Sequence, residues 1–182
     1  MPRSFRAPLT GLPYLDHMIG DLRTGASPVS VSGCADSQEV HLAAELTEPS
    51  RSVLFLTYNE VRAREILDDA QTFFAQPALL YPARDLLFFH SDVRGMFLTR
   101  QRMTALKQLL SGTPAVLVTT VDALLDRLPD PAVLRRNSIT LRPGDEADMT
   151  ALAARLTQLG YEHTAEVTMP GEYCLRGGIL DV

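Results

Sequence analysis

Short apolar runs recur along the first two-thirds of the chain, and each is followed by a segment whose apolar positions have helical spacing. These runs predict strands at Val29–Ser32, Val53–Thr57, 77–82 and 115–120. The second run, at Val53–Thr57, is almost continuously apolar. That character is typical of a strand buried on both faces.

Helical spacing predicts helices at Gly11–Leu22, Asp36–Leu46, Glu60–Phe74, Leu98–Leu110 and Asp122–Leu128. Asn59 is the expected N-cap of the third helix, and Glu60 and Arg64 form an i,i+4 pair on its surface. Because strands and helices alternate, the predicted fold class is α/β, with a parallel sheet and helices on both of its faces.

The pattern changes after Pro131. A short strand is predicted at Ser138–Leu141, and an amphipathic helix at Met149–Leu159. Residues 161–182 then alternate around glycine-containing turns, which predicts antiparallel β structure. We therefore expect an α/β domain at 1–134 and a smaller α+β domain at 135–182. Since the chain stops inside an apolar strand, we expect that second domain to be truncated.

Composition narrows the possible functions. The chain has 182 residues, 46% of them hydrophobic and 21% charged, with a net charge of −5. This balance argues against a free-standing DNA binder, which would need clustered cations. The two cysteines are far apart and the four histidines are scattered, so no metal site is expected. No apolar run suits a membrane span or a signal peptide, and a cytoplasmic location is expected.

The stretch "VSVSGCADSQEV" stands where a nucleotide-binding protein of this class has its phosphate loop, G-x-x-x-x-G-K-[ST]. With Gly33 at the centre of the loop, Ser30 and Ala35 replace the two glycines. Asp36 replaces the lysine, and Ser37 keeps the hydroxyl. An aspartate there repels a polyphosphate by several kcal/mol where a lysine would attract it, at about 4 Å and an effective dielectric of about 20. The loop is therefore interpreted as degenerate, a turn capped by Asp36 or Ser37.

A second feature of nucleotide hydrolysis is missing. The run at 115–120 ends in two threonines where an acid would hold Mg²⁺, and Asp122 is better explained as an acid at a helix start. We therefore expect no catalytic residue, no cofactor and no enzymatic activity in this chain. The alternative is an ATPase or helicase half-domain with residual nucleotide or DNA binding.

The stretch "PGEYCLRGGILDV" is the most distinctive in the sequence. Arg176 precedes two glycines, which lack side chains and let another backbone approach. An arginine beside exposed backbone and an aromatic residue, Tyr173, is typical of an interface hot spot. An ordinary hairpin is the alternative interpretation of the same pattern.

Several blocks together resemble a known family. "GYEHTAEVTMPGEYCLRGGILDV" resembles the G-E-[FY]-x-x-R-G-[GA]-[IL]-[IL]-D-[ILV] block in the N-terminal region of the bacterial transcription-repair coupling factors, the Mfd family. "YPARDLLFF", "RQRMTALKQLLSG" and "AVLVTTVDALLDRLP" resemble the same region in order and spacing. "GCADSQEVHLAAEL" is similar to the decayed phosphate loop of that family. The resemblance covers the chain from about Gly11 to Val182.

The resemblance implies a fold and a partner. That region of the family is similar to the excision-repair protein UvrB, so residues 1–134 would be a UvrB-like domain 1a. This is a RecA/P-loop-like domain with a degenerate phosphate loop. Residues 135–182 would be the first part of domain 2, which recruits UvrA. Arg176 matches an arginine that UvrB uses for this contact, whereas two other such arginines fall on Glu162 and Cys174.

The function expected from the resemblance is that of a non-catalytic adaptor. The adaptor would bring UvrA to stalled RNA polymerase in transcription-coupled excision repair. Its expected partner-binding residues are Arg176, Tyr173, Glu162 and Cys174. The other domains of the intact protein, an ATP-dependent DNA translocase, would provide the contacts with RNA polymerase and DNA. A rival hypothesis is a UvrB-like module that holds DNA, which the acidic balance disfavours.

Overall fold

The structure is a computed structural model that describes residues 14–25, 28–84 and 92–182. The predicted helix start at residues 11–13 and the apolar residues 86–89 lie outside these ranges. In chain order the helices are α1 (Leu15–Thr24), α2 (Gln38–Leu46), α3 (Glu60–Phe73), α4 (Asp92–Leu110), α5 (Val121–Leu125), α6 (Pro131–Arg136) and α7 (Met149–Gln158). The strands are β1 (Val53–Thr57), β2 (Ala78–Tyr81), β3 (Val116–Thr120), β4 (Glu162–His163), β5 (Glu172–Arg176) and β6 (Ile179–Asp181).

The first three strands form a parallel sheet in the order β1-β3-β2. Val53 of β1 and Ala78 of β2 are both in register with Val116 of the central strand β3. This arrangement confirms the predicted α/β class and its parallel sheet. The helical segments between the strands provide the long crossovers that parallel pairing requires.

Local signals set the starts of several helices. The Asn59 side chain accepts a hydrogen bond of 2.8 Å from the backbone N–H of Arg62, as predicted for the N-cap of α3. The predicted surface pair is also present, with Arg64 3.8 Å from Glu60. Asp148 caps α7 in the same way, accepting from two backbone N–H groups.

The core of the sheet lies on the face that α2 and α3 cover. Phe55 of β1 packs edge-on against Phe74, with ring centroids 5.9 Å apart. Small residues on the helices allow close approach to the strands. The buried cluster comprises Val40, Ala44, Ala63, Ile66, Ala70, Phe74, Leu80, Val116 and Val118.

The opposite face of β1 is exposed, so the prediction that this strand is buried on both faces is wrong. Leu54 is 54% exposed and Leu56 is 53% exposed. The strand lies at an edge of the described sheet, and no described helix covers these two side chains. The expected helices on both faces are therefore not found over β1. An apolar run indicates that its side chains favour burial, but it does not specify which other elements cover them.

Two predicted strands are absent. Residues 28–35 have no regular structure, and Val31 is 48% exposed. Ser138–Leu141 is likewise irregular and exposed. A strand exists only when a neighbour supplies hydrogen bonds to its backbone, and within the described ranges neither segment has such a neighbour. The short helix α6 was not predicted.

The second sheet has the order β4-β5-β6. Strands β5 and β6 pair antiparallel, as predicted, and the hairpin between them turns at Gly177, which has a φ of 59°. The prediction is wrong for β4, which pairs parallel with β5. Helix α7 packs against β4 and β5.

The described residues divide into two compact units. Among the described residues, one unit comprises those of 14–83 together with Thr104–Leu125, and the other comprises Arg84 and 92–103 together with Asp126–Val182. The parallel sheet lies in the first unit and the second sheet in the other. The division into domains 1–134 and 135–182 stays a prediction.

Candidate functional site

The segment that resembles a phosphate loop forms a tight turn before α2. Gly33 has a φ of 85°, and Asp36 has a φ of 41°, in the left-handed region that residues with a Cβ rarely adopt. Ser30, Gly33, Ala35 and Asp36 are exposed, and Ser37 is half-buried. The sequence is therefore compatible with a turn at this place, although no strand precedes it.

Two backbone N–H groups at this turn have partners within the chain. The N–H of Ala35 donates to the side-chain oxygen of Gln38 at 3.0 Å, and the N–H of Gln38 donates to the Ala35 carbonyl at 2.9 Å. Helix α2 begins at Gln38, and Ser37 stands at its N-cap without a side-chain capping bond. The predicted capping by Ser37 is therefore wrong. At Ala35 the N–H group that could meet a phosphate donates to an amide instead.

Arg62 of α3 contacts the turn. Its guanidinium donates to the backbone carbonyl of Asp36 at 3.2 Å and to the carboxylate of Glu39 at 3.2 Å. A third bond, of 2.9 Å, reaches Glu65 on its own helix, and this bond is the main reason why the pKa of Arg62 is raised. Arg62 therefore joins α3 to the turn across 26 residues of sequence.

An open depression of about 370 Å³ lies between this turn and α2. Its lining includes Val31, Leu42 and Leu46, together with Cys34. The charged residue in the lining is Glu39, an acid. A mainly apolar surface with a carboxylate does not fit a polyphosphate.

The end of β3 also differs from an ATPase site. The Thr119 hydroxyl donates to the carbonyl of Tyr81 at 2.8 Å, and the Thr120 hydroxyl accepts from the N–H of Ala123 at 3.3 Å. Both threonines are buried. Their oxygens therefore stabilise neighbouring backbone at the position where a Mg²⁺-binding acid was sought.

The predicted partner-binding residues all lie in the second sheet, but they differ in exposure. Arg176, the last residue of β5, and Glu162 of β4 are exposed. Tyr173 and Cys174 are 6% and 2% exposed. The Tyr173 hydroxyl shares a hydrogen bond of 2.8 Å with that of Thr157 on α7, and its ring packs against His163. These two side chains therefore stabilise the sheet from within.

Arg176 forms an ion pair across the hairpin. Its guanidinium lies 3.1 Å from the carboxylate of Asp181 on β6, and the side chains are 63% and 44% exposed. Within the register, Arg176 is opposite Ile179 and Cys174 is opposite Asp181, so the pair is diagonal. The hydrogen bond that Arg176 donates to Asp181 is the main cause of the raised pKa of Arg176.

Glu172 holds the loop before β5. Its carboxylate accepts from the N–H of Thr168 at 2.7 Å, the N–H of Met169 at 2.9 Å and the Thr168 hydroxyl at 3.1 Å. These bonds, the Thr168 N–H first, lower the pKa of Glu172. The Cys174 thiol donates to the carbonyl of Ala165 in the same loop.

Three functional or structural contacts were not predicted from the sequence. They are the contact of Arg62 with Asp36, the pair of Arg176 with Asp181, and the loop bonds of Glu172. The spacing of Arg62 and Glu65 indicates a helical pair. Nothing local indicates the contact with Asp36, because it joins two elements that meet only in the fold.

Within 14–25, 28–84 and 92–182, no group of three or more His, Cys, Asp or Glu residues is arranged to hold a metal ion. Nor is any helix in these ranges long and apolar enough to cross a membrane.

The second sheet coincides with a family match. Residues 139–182, which contain α7 and β4 to β6, match the UvrB interaction domain. The chain thus combines a parallel α/β sheet with a C-terminal segment that is similar to the UvrB interaction domain.

Comparison with curated proteins extends the match to most of the chain. A transcription-repair-coupling factor from Bacillus subtilis (strain 168) is 28% identical over 167 residues, covering 91% of this chain and 14% of the relative. One from Staphylococcus aureus (strain USA300) is 26% identical over 178 residues, covering 96% of this chain and 15% of the relative. The chain therefore spans about one-seventh of the length of these relatives. The matches support its recognition as the N-terminal UvrB-homology region of a transcription-repair coupling factor.

Proposed function

We propose that this chain is a non-catalytic adaptor module of a transcription-repair coupling factor, and that its second sheet binds UvrA. The observation that carries the proposal is the position of Arg176. It is exposed at the end of β5, directly before the hairpin turn, and it lies inside the segment that matches the UvrB interaction domain. An exposed arginine on a short, hydrogen-bonded hairpin is held on a rigid support, which favours specific contacts.

The four proposed binding residues have different roles in this function. Arg176 contacts UvrA directly. Tyr173 and Cys174, which are buried, keep β5 against α7 and against the loop before it. Glu162, exposed on β4, is an acid where UvrB has an arginine. It weakens the attraction for an acidic partner surface.

Binding of purified UvrA to the immobilised 182-residue chain tests the proposal. We expect Arg176→Ala to weaken binding at least about tenfold and Arg176→Glu to weaken it further, because both remove the central cation. Arg142→Ala is the matched control, since Arg142 is an exposed arginine of the same unit. Both Arg176 variants should keep the wild-type circular dichroism spectrum. Wild-type affinity in both would refute the assignment of this surface.

The absence of catalysis is part of the proposal. At the turn beside Gly33 the N–H of Ala35 donates to Gln38, and the nearby depression is mainly apolar with an acidic residue. Isothermal titration with Mg-ATP should give no saturable heat. A micromolar dissociation constant would instead favour an ATPase half-domain, and tight binding of single-stranded DNA at moderate salt would favour a DNA-holding module.

In the intact protein, RNA polymerase and DNA would be contacted by other domains. This chain would add the repair partner, so that translocation and recruitment are carried by different parts of one molecule. Its parallel-sheet domain then serves through its surface and its packing.

A further inference from the structure

The pair of Arg176 with Asp181 bears directly on how the hairpin meets its partner. The contact is a single hydrogen bond of 3.1 Å from one terminal nitrogen of the guanidinium. A guanidinium has five N–H donors and can hold a carboxylate through two parallel bonds. Within the described part of the chain, Asp181 is the acceptor of the Arg176 side chain, so most of these donors face solvent.

The pair is also easy to exchange. More than half of the Arg176 side chain and over a third of the Asp181 side chain are exposed. Ion pairs in such surroundings contribute little to stability because water screens them and both side chains lose freedom. A partner carboxylate that binds through two bonds and excludes water therefore outcompetes the internal acid.

The carboxylates that act on the guanidinium of Arg176 include Asp181 and Glu166. Glu162 and Glu172 lie on the same face of the sheet, but Glu172 is four residues, about 13 Å, away along β5, and its buried carboxylate is bound by the loop. An acidic partner is attracted by Arg176 and repelled by the exposed acids around it.

We propose that Asp181 is an intramolecular competitor for the partner's carboxylate at Arg176, and that it sets the affinity and specificity of this surface. This step rests on the function proposed above. In the unbound chain Asp181 accepts a hydrogen bond from one nitrogen of the Arg176 guanidinium. A partner that supplies only weak acidic contacts does not displace it, whereas a partner with a well-placed carboxylate does.

The variant Asp181→Asn tests this role because it keeps the shape and an acceptor oxygen while removing the charge. We expect it to bind UvrA about three- to tenfold more tightly than wild type, mainly through faster association. Asp181→Ser should have the same effect without the amide. Glu146→Gln makes an equal change of net charge at an exposed acid in the segment before α7 and should leave the affinity unchanged.

A double-mutant cycle separates this role from a general change of charge. In the Arg176→Ala background, Asp181→Asn should alter the affinity by less than about twofold. An equal gain with and without Arg176 would overturn the proposal, as would unchanged or weaker binding by Asp181→Asn. If Arg176→Ala weakens binding in these cases, the proposed function survives and only the role of Asp181 fails. If Arg176→Ala has no effect, both fail.

Discussion

The carboxylate of Glu172 accepts a hydrogen bond of 2.7 Å from the backbone N–H of Thr168, four residues earlier in the chain. This bond closes the loop before β5 and lowers the pKa of Glu172 below its ordinary value of 4.5. A carboxylate with a lowered pKa binds its proton less readily in the folded state than in the unfolded state. Its contribution to stability is complete above the ordinary value and is lost as the pH falls through the folded pKa.

We therefore predict that Glu172→Gln lowers the free energy of unfolding at pH 7 and reduces its decline between about pH 5 and pH 3. Urea unfolding at several pH values measures both effects. Glu166→Gln is the control, because Glu166 is an exposed acid of the same loop. If the free energy of unfolding of Glu172→Gln depended on pH in the same way as that of wild type, the assigned role of Glu172 would be contradicted.

Tyr173 tests whether the buried side of β5 is structural. Tyr173→Phe removes the hydroxyl that is bonded to Thr157, and we expect the free energy of unfolding to fall by about 1 kcal/mol. Binding of UvrA should not change at temperatures where the variant is folded. Tyr161→Phe removes the hydroxyl of a half-buried tyrosine in the same unit and serves as the control. Loss of binding without loss of stability would show that Tyr173 contacts the partner directly.

Arg62 and Arg64 form a matched pair of arginines on α3. Arg62 bonds the turn at Asp36 and two carboxylates, whereas Arg64 makes one exposed pair with Glu60. We expect Arg62→Ala to cost about 1–2 kcal/mol and Arg64→Ala less than about 0.5 kcal/mol. Hydrogen exchange should also rise in the turn at Gly33 for Arg62→Ala alone. If Arg62→Ala and Arg64→Ala lowered the free energy of unfolding equally, the contribution of the contact between Arg62 and Asp36 would be refuted.

The one-sided burial of β1 gives a further prediction. Val118 is fully buried in β3, and Leu56 of β1 is 53% exposed. We expect Val118→Ala to lower the free energy of unfolding by about 2 kcal/mol, because two buried methyl groups and their packing are lost. Leu56→Ala should change it by less than about 0.5 kcal/mol. Chemical denaturation of both variants measures the difference. A large loss for Leu56→Ala would mean that this face is covered in solution.

Much of the fold was predictable because its signals are local. Strand β1 has the predicted bounds, and Asn59 caps α3 through a bond that spans three residues. The same holds for α7, which begins at Met149 as predicted and ends one residue before the predicted end. The presence of Asp36 where a phosphate loop has its lysine, on which the interpretation of a degenerate loop depends, is likewise visible in the residue types alone.

Other features depend on which segments meet. Val29–Ser32 has the composition of a strand, but a strand needs a hydrogen-bonding neighbour, and that is a property of the tertiary structure. Tyr173 and Arg176 differ in exposure although both lie on β5. They are three residues apart and so lie on opposite faces of the strand, and Tyr173 faces α7, where its hydroxyl meets that of Thr157.

The sequence by itself therefore determined the order and type of most elements, the missing lysine of the loop and the residue block around Arg176. These depend on propensity, spacing and charge within a few residues. The tertiary structure alone decided that Leu54 and Leu56 remain exposed and that Arg62 reaches Asp36. It also decided that Arg176 donates a hydrogen bond to Asp181. Each of these depends on packing or pairing between segments, and such contacts form only when the chain folds.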